Sequence, residues 1–212
     1  MKRLLAFLTI SLLLTGCAHK AAAPQQPSAE EIAAAQSRAM MALSPDEMMA
    51  KIKEAGTPGE EHQKIASLAG TFKTVTKIWM DPSKDPEVTK GTAKNQWILG
   101  KRFLKQDYSG KFMGQPFQGT GVVGYDKVKK EYVSTWVDTM GTGMMTGEGQ
   151  FNSEKNELVS TSHYSCPLVG GDKTSRMVTR IINKNEYVLE MFDTGPDGKE
   201  MKTMEITHRR VS

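Results

Sequence analysis

Cysteine is nearly absent from this 212-residue chain. With only 2, Cys17 and Cys166, a disulfide framework is excluded. No charge of one sign dominates: 28 Lys and Arg face 24 Asp and Glu, a formal net charge of +4. Spread over this length, that is too weak to point to nucleic acid. The apolar run Leu4 to Leu14 is too short to span about 30 Å of hydrocarbon as a helix. No G-x-S-x-G elbow and no H-E-x-x-H motif occurs, so serine-hydrolase and zincin chemistry find no support. What is plentiful is glycine, 19 residues against 9 prolines. That balance favours turns, bulges and strands over long helices, within one ordinary domain.

Met1-Lys2-Arg3 is a basic start, and the apolar run that follows has the length of a signal-peptide core. It ends in Leu14-Thr15-Gly16-Cys17, which resembles the lipobox of bacterial lipoproteins. The resemblance implies cleavage before Cys17, acylation of its thiol and a bilayer as partner. Ala18, where an Asp would favour inner-membrane retention, points to the outer membrane, facing the periplasm. Residues 1–16 are then the signal peptide, and 17–27 are the lipidated cysteine with a small, polar tether. Cys166 is left without an intrachain partner, and burial as a small hydrophobe is expected of it.

Residues 28–69 read as short helices. Ser28 to Glu31 and Ser44 to Glu47 are capping boxes, and Pro45 suits a first helical position. Met48, Met49, Ile52 and Ala55 share a face of the second helix. Thr57-Pro58-Gly59-Glu60 opens a third, with His62, Ile65, Ala66 and Ala69 on one face. Met40, Met41, Met48 and Met49 are expected to pack these helices on a sheet.

Over residues 70–212 the helical period disappears. Strands are expected near 71–80, 87–99, 102–111, 117–125, 131–139, 143–152, 157–165, 173–183, 186–193 and 200–210, joined by turn clusters. Ten short strands without intervening helices make a mainly β fold, an antiparallel up-and-down sheet that hides its edges by closing into a barrel. The helices before it are available to plug or cover an end.

Several blocks carry a second resemblance. They include Leu68-Ala69-Gly70-Thr71-Phe72, Trp79-Met80-Asp81-Pro82, the run Trp97 to Leu104 and Phe112 to Phe117. Gly124-Tyr125-Asp126, Tyr132 to Asp138 and Phe192 to Glu200 continue it. From Leu68 to Arg209 the chain resembles the bacterial domain-of-unknown-function family 1579. Gly70-x-Phe72 also looks like the Gly-x-Trp that opens lipocalin-type (calycin) barrels, with Phe in place of Trp. The family implies a barrel and hands over no catalytic residues and no cofactor.

Candidate chemistry is thin. Gly119-Thr120-Gly121-Val122-Val123-Gly124 matches a dinucleotide fingerprint by letter, but strand signals flank it where a helix is required. Glycines that let a strand bend are the better reading. His163 and Cys166 have metal-ligand spacing, yet positions three apart on a strand face opposite ways. His208 is the strand histidine that a comparison with small haem-binding barrels singles out. Met140, Met144 and Met145 are core or cavity lining rather than a copper site.

Strand parity gives the best clue. Arg102, Leu104, Gln106 and Tyr108 share a face against Lys105 and Asp107, and Tyr132, Ser134, Trp136 and Asp138 share another. With Trp97, Arg180 and Glu205, the candidate ligand-binding set is Trp97, Arg102, Gln106, Tyr108, Trp136, Asp138, Arg180 and Glu205. The expected function is an envelope lipoprotein holding a small amphipathic or hydrophobic ligand in a barrel cavity. The alternatives are an interaction lipoprotein with a filled barrel, and an enzyme using Arg102, Tyr108 and Asp138 on a lipid or metabolite.

Overall fold

A computed structural model describes residues 26–211. The expected signal peptide, Cys17 and most of the expected tether lie outside the described residues. The chain divides into two units, residues 1–48 and 49–212.

In the first unit, α1 (Ala29–Met41) begins where the sequence caps it. Glu31 N donates to Ser28 Oγ at 3.2 Å, and Ser28 N donates to Glu31 Oε2 at 2.8 Å. Ser44 and Glu47 repeat the exchange at the start of α2 (Pro45–Gly56). Neither helix has a buried residue. Within the second unit Met49 is exposed, against the expectation that it packs on a sheet. Local caps, not burial of an apolar face, are what the structure shows for these two helices.

In the second unit the expected third helix is cut short. α3 (Glu60–Lys64) stops at Ile65, and a 3-10 turn, Ala66–Leu68, leads into the first strand. The break redirects the chain: Ile65 and Leu68 drop into the barrel base, with Ile65 fully buried.

Ten strands follow: β1 (Gly70–Ile78), β2 (Glu87–Ile98), β3 (Phe103–Phe112), β4 (Gln115–Asp126) and β5 (Glu131–Asp138), then β6 (Met145–Asn152), β7 (Glu157–Cys166), β8 (Gly171–Asn183), β9 (Glu186–Thr194) and β10 (Glu200–Arg210). Each pairs antiparallel with its sequence neighbours, and β10 pairs with β1 from Phe72↔Arg210 to Ile78↔Met204. The result is a closed up-and-down barrel, as expected.

One end of the barrel is shut. Phe72, Leu104, Tyr132, Leu158, Ile181 and Tyr187 pack there with Ile65 and Leu68. Polar clamps hold the plug in place. The Tyr132 hydroxyl donates to Glu61 O at 2.7 Å, and Asn95 Nδ2 donates to Leu68 O at 2.7 Å. Arg210 donates from Nη1 to Ala69 O and from Nη2 to Ser67 O, at 2.7 and 2.6 Å, with its guanidinium over Phe72. Carbonyls of the plug, buried or half-buried and outside the strand ladder, thus find side-chain donors.

Truncation of Ile65 to Ala leaves a hole in this plug. Denaturant unfolding is expected to show a loss of about 2–5 kcal/mol; a change within error would mean that the base does not depend on it.

Candidate functional site

Register sorts the strands into an inner and an outer row. Tyr187, in the core, shares its parity with Leu189, Met191 and Asp193 on β9. Pairing carries that parity to Thr179, Met177, Ser175 and Lys173 on β8, and to Ile206 and Met204 on β10. At the base these inward side chains are buried. Further up, Met177, Leu189, Met191, Met204 and Ile206 are only half-buried. The inward side chains are thus less tightly covered above the plugged base than within it.

Across the interior, Trp136 lies flat on β4. A Cβ built on Gly119 would meet Trp136 Cζ2 at 2.2 Å, and one on Gly121 would meet Cε3 at 2.7 Å. Of the fingerprint-like glycines, Gly119 and Gly121 are clearances for an indole ring and Gly124 for the ring of Phe103, and no helix follows them. Trp136 Nε1 donates to Asp138 Oδ2 at 2.9 Å, and Met140 N donates to Oδ1 at 2.8 Å, which fixes this carboxylate at the mouth.

A polar group on β7–β9 also faces inward near the mouth. The Tyr164 hydroxyl and Ser175 Oγ are 3.2 Å apart, Ser175 donates to Asp193 Oδ1, and Lys173 Nζ lies 3.5 Å from Asp193 Oδ2. Burial pulls the Lys173 pKa down, but Tyr164 and Asp193 outweigh it and hold the ammonium above its ordinary value.

Five of the eight candidate residues face inward: Trp97 packs on the base cluster, Gln106 and Tyr108 line the wall, and Trp136 and Asp138 stand nearer the mouth. Tyr108 contacts Thr76 Oγ1 at 3.2 Å. The other three lie elsewhere. Arg102 is in the β2–β3 turn at the base end, exposed, donating from Nη1 to Leu99 O at 2.9 Å. It and Asp138 are at opposite ends of the barrel, so Arg102, Tyr108 and Asp138 do not form one catalytic site. Arg180 and Glu205 point outward into an ion belt. It runs Glu157–Arg180 (2.6 Å), Arg180–Glu190 (3.3 Å), Glu190–Lys202 (3.0 Å), Lys202–Glu205 and Glu205–Lys77 (3.0 Å).

Sequence reasoning missed Met177, Met191, Lys173 and Asp193. Their signal was present: each falls on the parity of Ile181 or Tyr187, which an anchored core residue on β8 or β9 would have revealed. His163 faces outward beside Glu148, and Cys166 is half-buried at the β7–β8 hairpin, not fully buried. Among the described residues, no cluster of three or more His, Cys, Asp or Glu could hold a metal.

His208 is inward but is 2% exposed. Its ring stacks on Tyr187 at 4.0 Å between centroids and meets Phe72 edge-on at 6.2 Å. Its Nδ1 lies 3.2 Å from Ile206 O. One face is covered and the ring is held by backbone, so the arrangement does not fit an axial ligand of haem. Burial, against weaker help from the backbone of Ile206 and Tyr187, pulls its pKa down to about 4.

Two open hollows, of about 550 and 590 Å³, lie mainly along the outer-facing residues of β2–β5 and β2–β3. The first is lined mostly by Thr92, Lys94, Asp107, Gln118, Thr120 and Val137, with Tyr108, Gly119 and Asp138 at its border. They are distinct from the interior wall of β8–β10.

Two outcomes follow from this wall. Gly121→Val, by displacing Trp136, is expected to cost about 1–3 kcal/mol and to red-shift tryptophan emission. An unshifted spectrum would remove the clearance role. His208, whose folded pKa lies below the ordinary 6.5, binds its proton more readily when unfolded. Its contribution is therefore present above about pH 6.5 and lost as pH falls towards 4, worth about 3 kcal/mol. His208→Gln is expected to flatten the stability profile in that window; an unchanged slope would contradict it.

One solved structure supports the architecture. The crystal structure of Rv2717c from M. tuberculosis matches with a TM-score of 0.56 at 13% identity, over 74% of this chain and 100% of that one. A redesigned beta barrel, mFAP0, bound to DFHBI, matches with a TM-score of 0.36 at 16% identity, over 68% of this chain and 99% of that one. At 13% identity the first likeness concerns fold alone, and no argument rests on the second. No curated protein sequence matches the chain. The model of the family described as "Protein of unknown function (DUF1579)" matches residues 57–210, which takes in the plug and all ten strands. The chain belongs to the DUF1579 family.

Proposed function

We propose that this protein is an envelope lipoprotein that binds a small amphipathic or hydrophobic molecule inside its barrel. The observation that carries the binding reading is the inward wall of Met177, Leu189, Met191, Met204 and Ile206, apolar and half-buried above a sealed base. Apolar side chains held against water gain by accepting an apolar guest. Methionine is suited to this because its flexible thioether adapts to irregular shapes. Trp136 adds a flat aromatic surface, and Asp138 with the Lys173–Asp193 group gives the mouth its polar rim.

The anchoring half of the proposal rests on Leu14-Thr15-Gly16-Cys17 behind a basic start and an apolar run. Acyl chains on Cys17 would hold the barrel at the bilayer, with the outer membrane as location and the periplasm as the facing compartment. Nothing in the charge balance calls for nucleic acid as partner.

A second reading, an interaction lipoprotein, has one observation in its favour. Hairpin tips at the open end expose Met113, Met140, Met144, Leu168 and Val169. Such apolar tips suit a protein partner at the rim. Crosslinking in cells that recovers only monomer would count against it.

Native mass spectrometry of protein purified gently from its own envelope is expected to show extra mass that denaturation removes. Met191→Trp, which fills the wall, is expected to weaken binding of a neutral naphthylamine dye by about tenfold. Bare mass and no dye uptake would overturn the binding reading. Separately, Cys17→Ser is expected to move the protein out of the membrane fraction; an unchanged distribution would overturn the anchor.

A further inference from the structure

We propose that the floor of the interior is a head-group subsite. In it, a neutral group that both donates and accepts hydrogen bonds, such as a hydroxyl or primary amide, docks between Asn95 Oδ1 and the Tyr187 hydroxyl. This rests on the ligand-binding reading above and adds the chemical class and the orientation of the guest.

Three inward residues make the floor. Asn95 (5% exposed) and Tyr187 (4% exposed) are buried and Asn95 Oδ1 has no open surface, whereas Gln106 beside them is half-buried, so a guest reaches the pair by displacing the Gln106 side chain. Asn95 Nδ2 donates to Leu68 O at 2.7 Å and to the Tyr187 hydroxyl at 2.9 Å. Gln106 Nε2 donates to the same hydroxyl at 3.3 Å. Those bonds use the amide nitrogen of Asn95 and the oxygen lone pairs of Tyr187. Among the described residues Asn95 Oδ1 has no hydrogen-bond partner. The Tyr187 hydroxyl, its oxygen already accepting twice, keeps its own hydrogen to give. One acceptor and one donor are thus left side by side, and a buried polar atom without a partner is costly. A hydroxyl or an amide completes both.

The surroundings select against charge. Burial pushes the Tyr187 hydroxyl above its ordinary pKa, and burial keeps the stacked His208 neutral. The Arg210 guanidinium lies under the Phe72 ring at 4.7 Å, and its nitrogens are committed to the carbonyls of Lys184, Ala69 and Ser67. It is not free to pair with an anion at the floor. For an ammonium, Asp138 and Asp193 stand near the mouth, and the Glu61 carboxylate of the plug is already held by Lys64 and the Tyr132 hydroxyl. The guest therefore enters polar end first, and its apolar remainder runs up the methionine wall.

The test uses the purified full chain and a neutral naphthylamine dye, displaced by 1-decanol, decanamide, decanoate or decylamine. The alcohol and the amide are expected to compete at least about tenfold better than the two ions. Tyr187→Phe, which keeps the ring and removes the donor, is expected to shrink that preference to about threefold or less, read as the ratio of competitors on the same variant. Equal competition by decanoate or decylamine would overturn the head-group assignment and leave the cavity standing. Failure of the dye to bind the unaltered chain would overturn the cavity reading itself. Should Tyr187→Phe not fold, the ranking of the four competitors on the unaltered chain still decides.

Discussion

The pairing of β10 with β1 is the constraint on which everything else depends. Seven register pairs, from Phe72↔Arg210 to Ile78↔Met204, close the sheet. Closure removes the free edges that an open sheet of ten strands would expose. It also forces every side chain to choose inside or outside. Once that choice is made, Thr74, Thr76, Ala93, Ser162, Ser175 and His208 must be buried, polar or not. The small and hydroxyl-bearing residues among them are what a narrow interior allows. The indole of Trp136 fits only because its neighbours on β4 have no side chain.

Outside, the same closure brings charges from five strands into one belt. Glu157, Arg180, Glu190, Lys202, Glu205 and Lys77 alternate in sign across β7, β8, β9, β10 and β1. Each pair is partly solvated, so each contributes modestly. Their more important effect is on register. A slip of one residue would turn these side chains inward, where unpaired charges are far more expensive. Ionic order outside and apolar order inside therefore specify the same alignment.

Much of the fold was legible because its signals are local. Turn clusters and period-two alternation placed all ten strands, and Ser28 and Ser44 announced the helix starts. The site was legible only where a parity had been anchored. On β3 and β5, Gln106, Tyr108, Trp136 and Asp138 share faces with Leu104 and Tyr132, and all six point inward. Arg102 failed because it lies one residue before β3 begins, in the turn, where alternation no longer applies. Arg180 and Glu205 had no anchor, and a bulge between Lys202 and Met204 shifts the register of β10. The floor was out of reach for another reason. Asn95 and Tyr187 are 92 residues apart, and nothing local reports that a closed barrel sets them in contact. The third helix ended early because the chain had to drive Ile65 and Leu68 into the base, a tertiary demand that overrides helical spacing.

The sealed base has a consequence for traffic. With Ile65, Leu68 and the Arg210 clamp filling one end, the barrel is a vessel with one door and not a conduit. On the proposed binding reading, a guest that goes in must come back out past Asp138 and Asp193, so loading and unloading compete for the same opening. Two molecules cannot pass through in sequence, and nothing can be pushed out from behind. Exchange then proceeds one guest at a time, with each departure preceding the next arrival. Under that reading the protein behaves as a holder or a shuttle, whose direction is set by relative affinities at the places it visits.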